Sequence, residues 1–191
     1  MKNILINDPS PYLQQHKNNP VHWQTWSKES LGYAKNEKKP ILLSIGYSSC
    51  HWCHVMAHES FEDKETAELM NKNFINIKVD REERPDIDFI FQSSFQLFNQ
   101  SGGGWPLTMF LDENGVPFMG GTYFPKSDKH GLPAFKKILQ TVANAYKEQR
   151  TKIIEQKDLI IVNLALKKTN VISQETEPIL ENLLKNLDEK N

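Results

Sequence analysis

Cysteine is nearly absent from this sequence: Cys50 and Cys53 are the only two among 191 residues. That excludes a framework of structural disulfides, and a bridge between these two would close too small a loop to restrain the unfolded chain much. Long apolar runs are missing as well. No stretch approaches the roughly 20 residues that span a bilayer. The opening segment Met1 to Asp8 has three apolar residues in succession, Ile4-Leu5-Ile6, which is short of the apolar region of an export signal. The expectation is a cytoplasmic chain with no membrane partner. Excess positive charge is also lacking, with 23 Lys and Arg against 24 Asp and Glu and a net charge of -1. No chain-wide basic field exists to draw phosphate backbones, so no nucleic-acid partner is expected.

Material for a core is plentiful. Hydrophobic residues make up 38% of the chain, including ten Phe and four Trp. The length suits one domain with an extension, drawn here as 1–150 and 151–191. Residues 1–20 read as an extended lead-in. A helix is predicted from Trp23 to Glu37, with Ser27 and Ser30 as early caps and Pro40 beyond its end. Ile41-Leu42-Leu43-Ser44-Ile45 reads as a strand buried in a central sheet. Helical character returns at Cys50, bends near Glu59 to Asp63 and continues past Met70.

Phe74 to Asp80 alternates as a second strand, and Pro85 opens a helix striped with Ile87, Ile90, Phe91, Phe95 and Phe98. Gly102-Gly103-Gly104 breaks that helix. Leu107 to Leu111 and Val116 to Thr122, joined through Asp112-Glu113-Asn114-Gly115, predict a β-hairpin, and Leu132 to Lys147 a closing helix. Strands alternating with helices predict parallel pairing before the antiparallel hairpin. The fold class is therefore α/β, a central mixed sheet flanked by helices. Beyond it lies a C-terminal helical extension, in which Ile179, Leu180, Leu183, Leu184 and Leu187 form a stripe suited to a partner domain or self-association.

The cysteine pair follows a buried strand and a short turn, and stands at the first turn of a helix. Unpaired backbone N–H groups and the helix dipole there favour an anion, lowering a thiol below the ~8.5 of free cysteine. Cys50 is the natural nucleophile, and Cys53, one helical turn on and more buried, can resolve a mixed disulfide. His51 and His54 flank the motif. Protonated, they would stabilise a Cys50 thiolate, or they simply face solvent. Trp52 can shield the sulfurs, offer a flat contact to a partner, or cover core.

Rival readings use the same residues. Cys50-His51-Trp52-Cys53-His54 matches the pattern for covalent haem attachment, although such attachment belongs to exported chains. Zinc could draw on Cys50, Cys53, His54 and His58, but four ligands on barely two helical turns surround an ion poorly. Two inert buried cysteines are the bland alternative. Neither a cofactor nor a metal is expected. The triple glycine is followed by no Lys-Ser or Lys-Thr, so it is not a P-loop. His58 and Glu59 have no nucleophile beside them other than the cysteines, so a separate hydrolase centre is not expected.

Several separated segments occur in order: Asn19-Pro20-Val21-His22-Trp23, Lys39-Pro40-Ile41, Cys50-His51-Trp52-Cys53-His54-Val55-Met56, Val79 through Asp86, Gly103-Gly104-Trp105-Pro106 and Gly121-Thr122-Tyr123-Phe124-Pro125. Across residues 8–150 the chain resembles the thioredoxin superfamily, and within it the thioredoxin-like domain that opens the YyaL-type, or spermatogenesis-associated protein 20-like, proteins. The resemblance implies a thioredoxin fold and a cis peptide bond at Trp105-Pro106, facing the cysteines. It also implies that the Trp105 backbone, with Pro106, receives an extended substrate, to which Trp52 would add its flat contact. The charge run Asp80 to Asp86 is by default a solvated loop, and the resemblance favours a place for part of it on the site rim.

Thioredoxin itself carries Gly-Pro between its cysteines and a buried Asp on the preceding strand, where this sequence has His51-Trp52 and Ser44. His54, Glu59 or a water would have to replace that proton acceptor. The resulting expectation is a thiol–disulfide oxidoreductase acting on a protein or small-thiol disulfide. The alternative is a non-catalytic module of the same fold that docks a partner domain.

Overall fold

The six residues of β1, Ile41–Gly46, are all buried, and the rest of the fold is arranged around them. The computed structural model describes residues 1–99, 102–129 and 131–155. Its elements in chain order are a 3-10 turn at Leu5–Asn7, α1 (Pro11–Gln14), α2 (Lys28–Glu37), β1, α3 (His51–Met56), a π-helical turn (Ala57–Phe61), α4 (Lys64–Asn73), β2 (Ile75–Asp80), α5 (Pro85–Asn99), β3 (Leu107–Leu111), β4 (Pro117–Gly121) and α6 (Phe135–Glu155). The sheet order is β2-β1-β3-β4. The result is a thioredoxin fold: a mixed four-stranded sheet flanked by helices.

Pairing follows the sequence-based expectation for β1 with β2, which are parallel, and for β3 with β4, which are antiparallel. It departs from it at β3, which runs antiparallel to β1, with Ile45 opposite Leu107. The chain leaving α5 doubles back along the helix. Gly104 accepts a hydrogen bond from Gln92 at 3.1 Å, and Trp105 donates to Asp88 in the helix's first turn at 2.9 Å. This return brings the chain to the end of the sheet where α5 began, so no crossover is completed and β3 must run the other way.

Two apolar layers sandwich the sheet. On one face Ile41, Leu43, Ile45, Ile77, Leu107 and Met109 meet Ala34 of α2 and Ile87, Phe91 and Phe95 of α5. On the other, Leu42 and Phe110 meet Tyr12, Trp23, Met56, Phe61, Phe135 and Leu139, together with both cysteines. The alternation in β2 therefore does not divide core from solvent: Asn76, Lys78 and Asp80 are buried along with Ile75, Ile77 and Val79.

What covers them is the N-terminal segment, which is packed rather than a loose lead-in. Leu5, Tyr12, Leu13 and Val21 are all buried, and the Ser10 hydroxyl caps α1 by accepting from the Leu13 N–H. Trp23 and Gln24 precede α2 instead of belonging to it. Gln24 adds a parallel bridge to β2, donating to Asn76 and accepting from Lys78 through its backbone. The helix starts at Lys28, with Ser27 and Ser30 forming a reciprocal capping box. At the C-terminal end α6 runs to Glu155, past the predicted Lys147. The rest of the predicted extension, including the Ile179 to Leu187 stripe, lies outside the described residues. No described helix is long and apolar enough to cross a membrane.

Candidate active site at the cysteine pair

Gly46 ends β1, and the turn Tyr47-Ser48-Ser49 delivers Cys50 to the N-cap position of α3. There the Cys50 backbone is extended (φ -72°, ψ 106°), and its Sγ accepts the Cys53 N–H at 3.2 Å. An N-cap side chain ordinarily offers oxygen to that N–H; here sulfur does, and the same contact would stabilise a thiolate. Cys50 and Cys53 are joined by a disulfide, with Cα atoms 5.2 Å apart. Both residues are only 2% exposed, so Cys53 is not the more buried of the two. Tyr47, Trp105 and Tyr123 pack against the cluster that contains them.

The two histidines and Trp52 divide in placement. His54 directs Nε2 at the Ser48 carbonyl, 2.8 Å away. A carbonyl only accepts, so that nitrogen carries the hydrogen and the ring is tied to the loop leading into Cys50. His51 is exposed, with its ring 5.5 Å from that of Trp52. Trp52 is 52% exposed and does not cover core; its indole leans on Tyr123, centroids 4.9 Å apart. The Tyr123 hydroxyl in turn donates to Glu59 at 2.6 Å. Burial, and the Glu59 carboxylate it serves, push Tyr123 up to about 12. Glu59 is thus engaged at the rim of the site.

Trp105-Pro106 is a cis peptide bond. Leu107 pairs with Ile45, so the next antiparallel position sets Pro106 beside Gly46, whose missing Cβ would approach Cys53 Sγ. Trp105 is fixed from three sides: its ring meets Tyr47 edge-on at 5.9 Å, its Nε1 donates to Asp88, and the Arg81 guanidinium lies over it. The charge run accordingly splits. Asp80 is buried, accepting from the Ser10 hydroxyl at 2.7 Å, and Arg81 reaches the site rim. Arg84 and Asp86 remain an exposed pair.

Among aromatic rings of the layer that holds the cysteines lies a polar group that sequence reasoning missed. Lys78 is 1% exposed, and its Nζ donates to the Ser44 hydroxyl at 3.1 Å while lying 4.7–5.0 Å from the ring centroids of Phe61, Trp23 and Tyr12. With no carboxylate paired to it among the described residues, burial pushes its amine well below the ordinary lysine value. Ser44, noted only as a departure from thioredoxin, is this lysine's partner. Tyr12 is the second omission: it is buried, and its hydroxyl and Cys53 Sγ both lie close to the point that a Cβ on Gly46 would occupy.

Nothing gathers the zinc rival's four ligands. The two sulfurs are bonded to each other, His54 holds Ser48, and His58 pairs with Glu62 at 2.9 Å. Among the described residues no group of three or more His, Cys, Asp and Glu is placed to hold a metal.

The family model Thioredox_DsbH, described as a protein of unknown function, DUF255, matches residues 2–165. Spermatogenesis-associated protein 20 of Rattus norvegicus is 44% identical over 162 residues, which is 85% of this chain and 20% of that protein. Uncharacterized protein B0495.5 of Caenorhabditis elegans is 49% identical over 148 residues, 78% of this chain and again 20% of the relative. The chain thus spans about a fifth of the length of the curated relatives it matches. Among solved structures, a protein titled DsbH Oxidoreductase is similar with a TM-score of 0.49 and 19% identity, over 67% of this chain and 85% of that one. A thioredoxin from Thermus thermophilus is similar with a TM-score of 0.44 and 18% identity, over 69% and 95%.

Proposed function

This chain belongs to the Thioredox_DsbH family (DUF255), and from that premise we propose that it is a thiol–disulfide oxidoreductase acting through Cys50 and Cys53 on a protein or small-thiol disulfide. The observation that carries the reading is the bonded pair at the N-terminus of α3, with the Cys53 N–H directed at the Cys50 sulfur. In the dithiol state that N–H and the helix end favour a Cys50 thiolate. The thiolate attacks one sulfur of the substrate disulfide, a Cys50–substrate bond forms, and the other substrate sulfur departs as a thiolate that takes a proton from water. Cys53, having lost its own proton, then attacks Cys50. The Cys50–Cys53 bond closes, the remaining substrate thiolate leaves, and two electrons have passed to the substrate.

The neighbours take supporting parts. Pro106 has no N–H to compete at the sulfurs, and the backbone of Trp105 supplies an edge along which an extended peptide can pair. Half-exposed Trp52 offers the substrate a flat apolar contact. His54 holds the loop before Cys50, and exposed His51, when protonated, adds positive charge near the helix start.

Substitution separates the roles. Cys50→Ser should abolish disulfide reduction in an insulin assay, whereas Cys53→Ser should accumulate mixed disulfides that reducing agent releases. If both variants match the parent, the reading is wrong. The 2% exposure of each cysteine favours a second reading, a binding module whose disulfide is incidental. Exchange requires the rim around Cys50 to yield, so a pair that resists millimolar dithiothreitol while the chain stays folded would support the module instead.

A further inference from the structure

Tyr12 is 1% exposed, and its hydroxyl has no hydrogen-bond partner among the described residues. Buried hydroxyls almost always find partners, so an orphan inside a close-packed core calls for a cause. The space at Gly46 locates it. A Cβ built on Gly46 would lie 2.3 Å from Tyr12 Oη and 2.7 Å from Cys53 Sγ, so hydroxyl and sulfur flank one point that only glycine leaves open. Lys78 lies over the face of the Tyr12 ring and is already bonded to Ser44. The polar atom that shares this space with the hydroxyl is Cys53 Sγ, and in the disulfide the two are not hydrogen-bonded. Uncharged sulfur is a weak acceptor, whereas a thiolate is a strong one.

We propose that the Tyr12 hydroxyl donates a hydrogen bond to the Cys53 sulfur once the disulfide opens, and thereby holds the resolving cysteine ready and sets the redox balance of the pair. The inference rests on the oxidoreductase reading and adds a residue from the N-terminal segment to that site. Burial and the nearby Asp80 carboxylate raise the phenol's pKa, which keeps it a donor throughout the working range. In the resolving step the bond that forms is Cys50–Cys53 and the bond that breaks is Cys50–substrate. Tyr12 keeps its proton and gives up only its hydrogen bond as the sulfur's charge passes to the departing thiolate. The donor stabilises the open states and is orphaned in the closed one, so it makes the pair more oxidising than it would otherwise be.

Tyr12→Phe removes one oxygen and preserves the ring. The full chain and this variant are equilibrated in glutathione buffers of graded ratio, and the dithiol fraction is counted by alkylation and mass. The variant's equilibrium should move about tenfold towards the disulfide, which is about 30 mV more negative. Tyr33→Phe, at an exposed ring, should match the parent. Melting of both redox forms supplies a readout that a purely structural hydroxyl would not move in this way: the loss should be confined to the dithiol form. Equal shifts in the two forms, or an unchanged equilibrium, overturn the role of Tyr12 and leave the oxidoreductase reading standing. A parent chain that forms no disulfide in any of the buffers overturns both.

Discussion

The guanidinium of Arg81 lies over the indole of Trp105, its central carbon 3.9 Å from the ring centroid. The two side chains also share Asp88, which accepts the indole N–H at 2.9 Å and has the Arg81 Nε 3.5 Å away. Asp88 is only 6% exposed, so screening by water is weak on that side. The loop that carries Pro106 is thus clamped by the residue immediately following β2.

Arg81→Met keeps a stem over the indole and removes the charge. A partly desolvated cation–π contact contributes about 1–2 kcal/mol, and a loss of that order is expected in urea unfolding. In insulin reduction KM should rise several-fold with kcat nearly unchanged, because Trp105 is assigned to receiving substrate and takes no part in the electron transfer. Lost stability with an unaltered KM would remove Arg81 from the site and leave it a structural residue.

Lys78 yields a prediction about pH. Its amine has a lowered pKa in the folded state, so between that value and the ordinary ~10.4 the unfolded chain binds more protons than the native one. Stability therefore rises with pH across that window. In Lys78→Met this contribution is absent. The stability of the variant relative to the parent should be greatest near neutrality and should shrink as pH approaches 10, by at most about 1.4 kcal/mol per pH unit. Urea unfolding of the oxidised forms at pH 7, 8.5 and 10 measures it, since the bonded cysteines do not titrate. Parallel curves would mean that the rings of Phe61, Trp23 and Tyr12 keep the ammonium charged.

How far such features could be read from the chain depends on whether the cause is local. The helix start at Cys50, the capping by Ser27 and Ser30, the bend between α3 and α4 and the hairpin turn are each set by adjacent residues and are found in the structure, although the helix that Ser27 and Ser30 cap begins at Lys28 and not at Trp23. The cis bond at Trp105-Pro106 followed from family resemblance alone. Long-range packing was not legible. Alternating residues in β2 look half-solvated until Tyr12, Leu13 and Trp23 are known to lie on the polar side. The direction of β3 depends on contacts from Gln92 and Asp88 to the returning chain, which no periodicity reveals. Lys78 escaped notice because a lysine in a strand is normally on the surface.

Tyr123 connects the rim to Trp52 and supplies a test at the alkaline end. Its pKa is raised to about 12 in the fold from an ordinary ~10, so the stability linked to its protonated form is fully present below pH 10 and is lost as pH rises towards 12. Tyr123→Phe should cost about 1.5 kcal/mol at pH 7, the low end for a hydrogen bond to a charged group because both partners are half-buried. The gap between parent and variant should close above pH 10. Trp52 fluorescence should change in the variant as the ring beneath it loosens. A constant gap up to pH 12 would place the tyrosine's contribution in ring packing and not in its bond to Glu59.

Gly46→Ala probes the space shared by Tyr12 and Cys53 directly. The added methyl would sit 2.3 Å from one heavy atom and 2.7 Å from the other, closer than packed atoms tolerate, so one of them must move. Overpacking of this kind costs typically 1–3 kcal/mol, and a loss in that range is expected for the oxidised protein. The β1 backbone also holds the loop that follows β2, since the Gly46 carbonyl accepts the Arg81 N–H at 2.9 Å. Displacement should therefore reach both walls of the site and slow insulin reduction more than the stability loss alone would predict. Combining Gly46→Ala with Tyr12→Phe should recover part of the stability, because the oxygen nearest the new methyl is gone. A double variant whose losses merely add would show that the methyl presses on the sulfur and not on the hydroxyl.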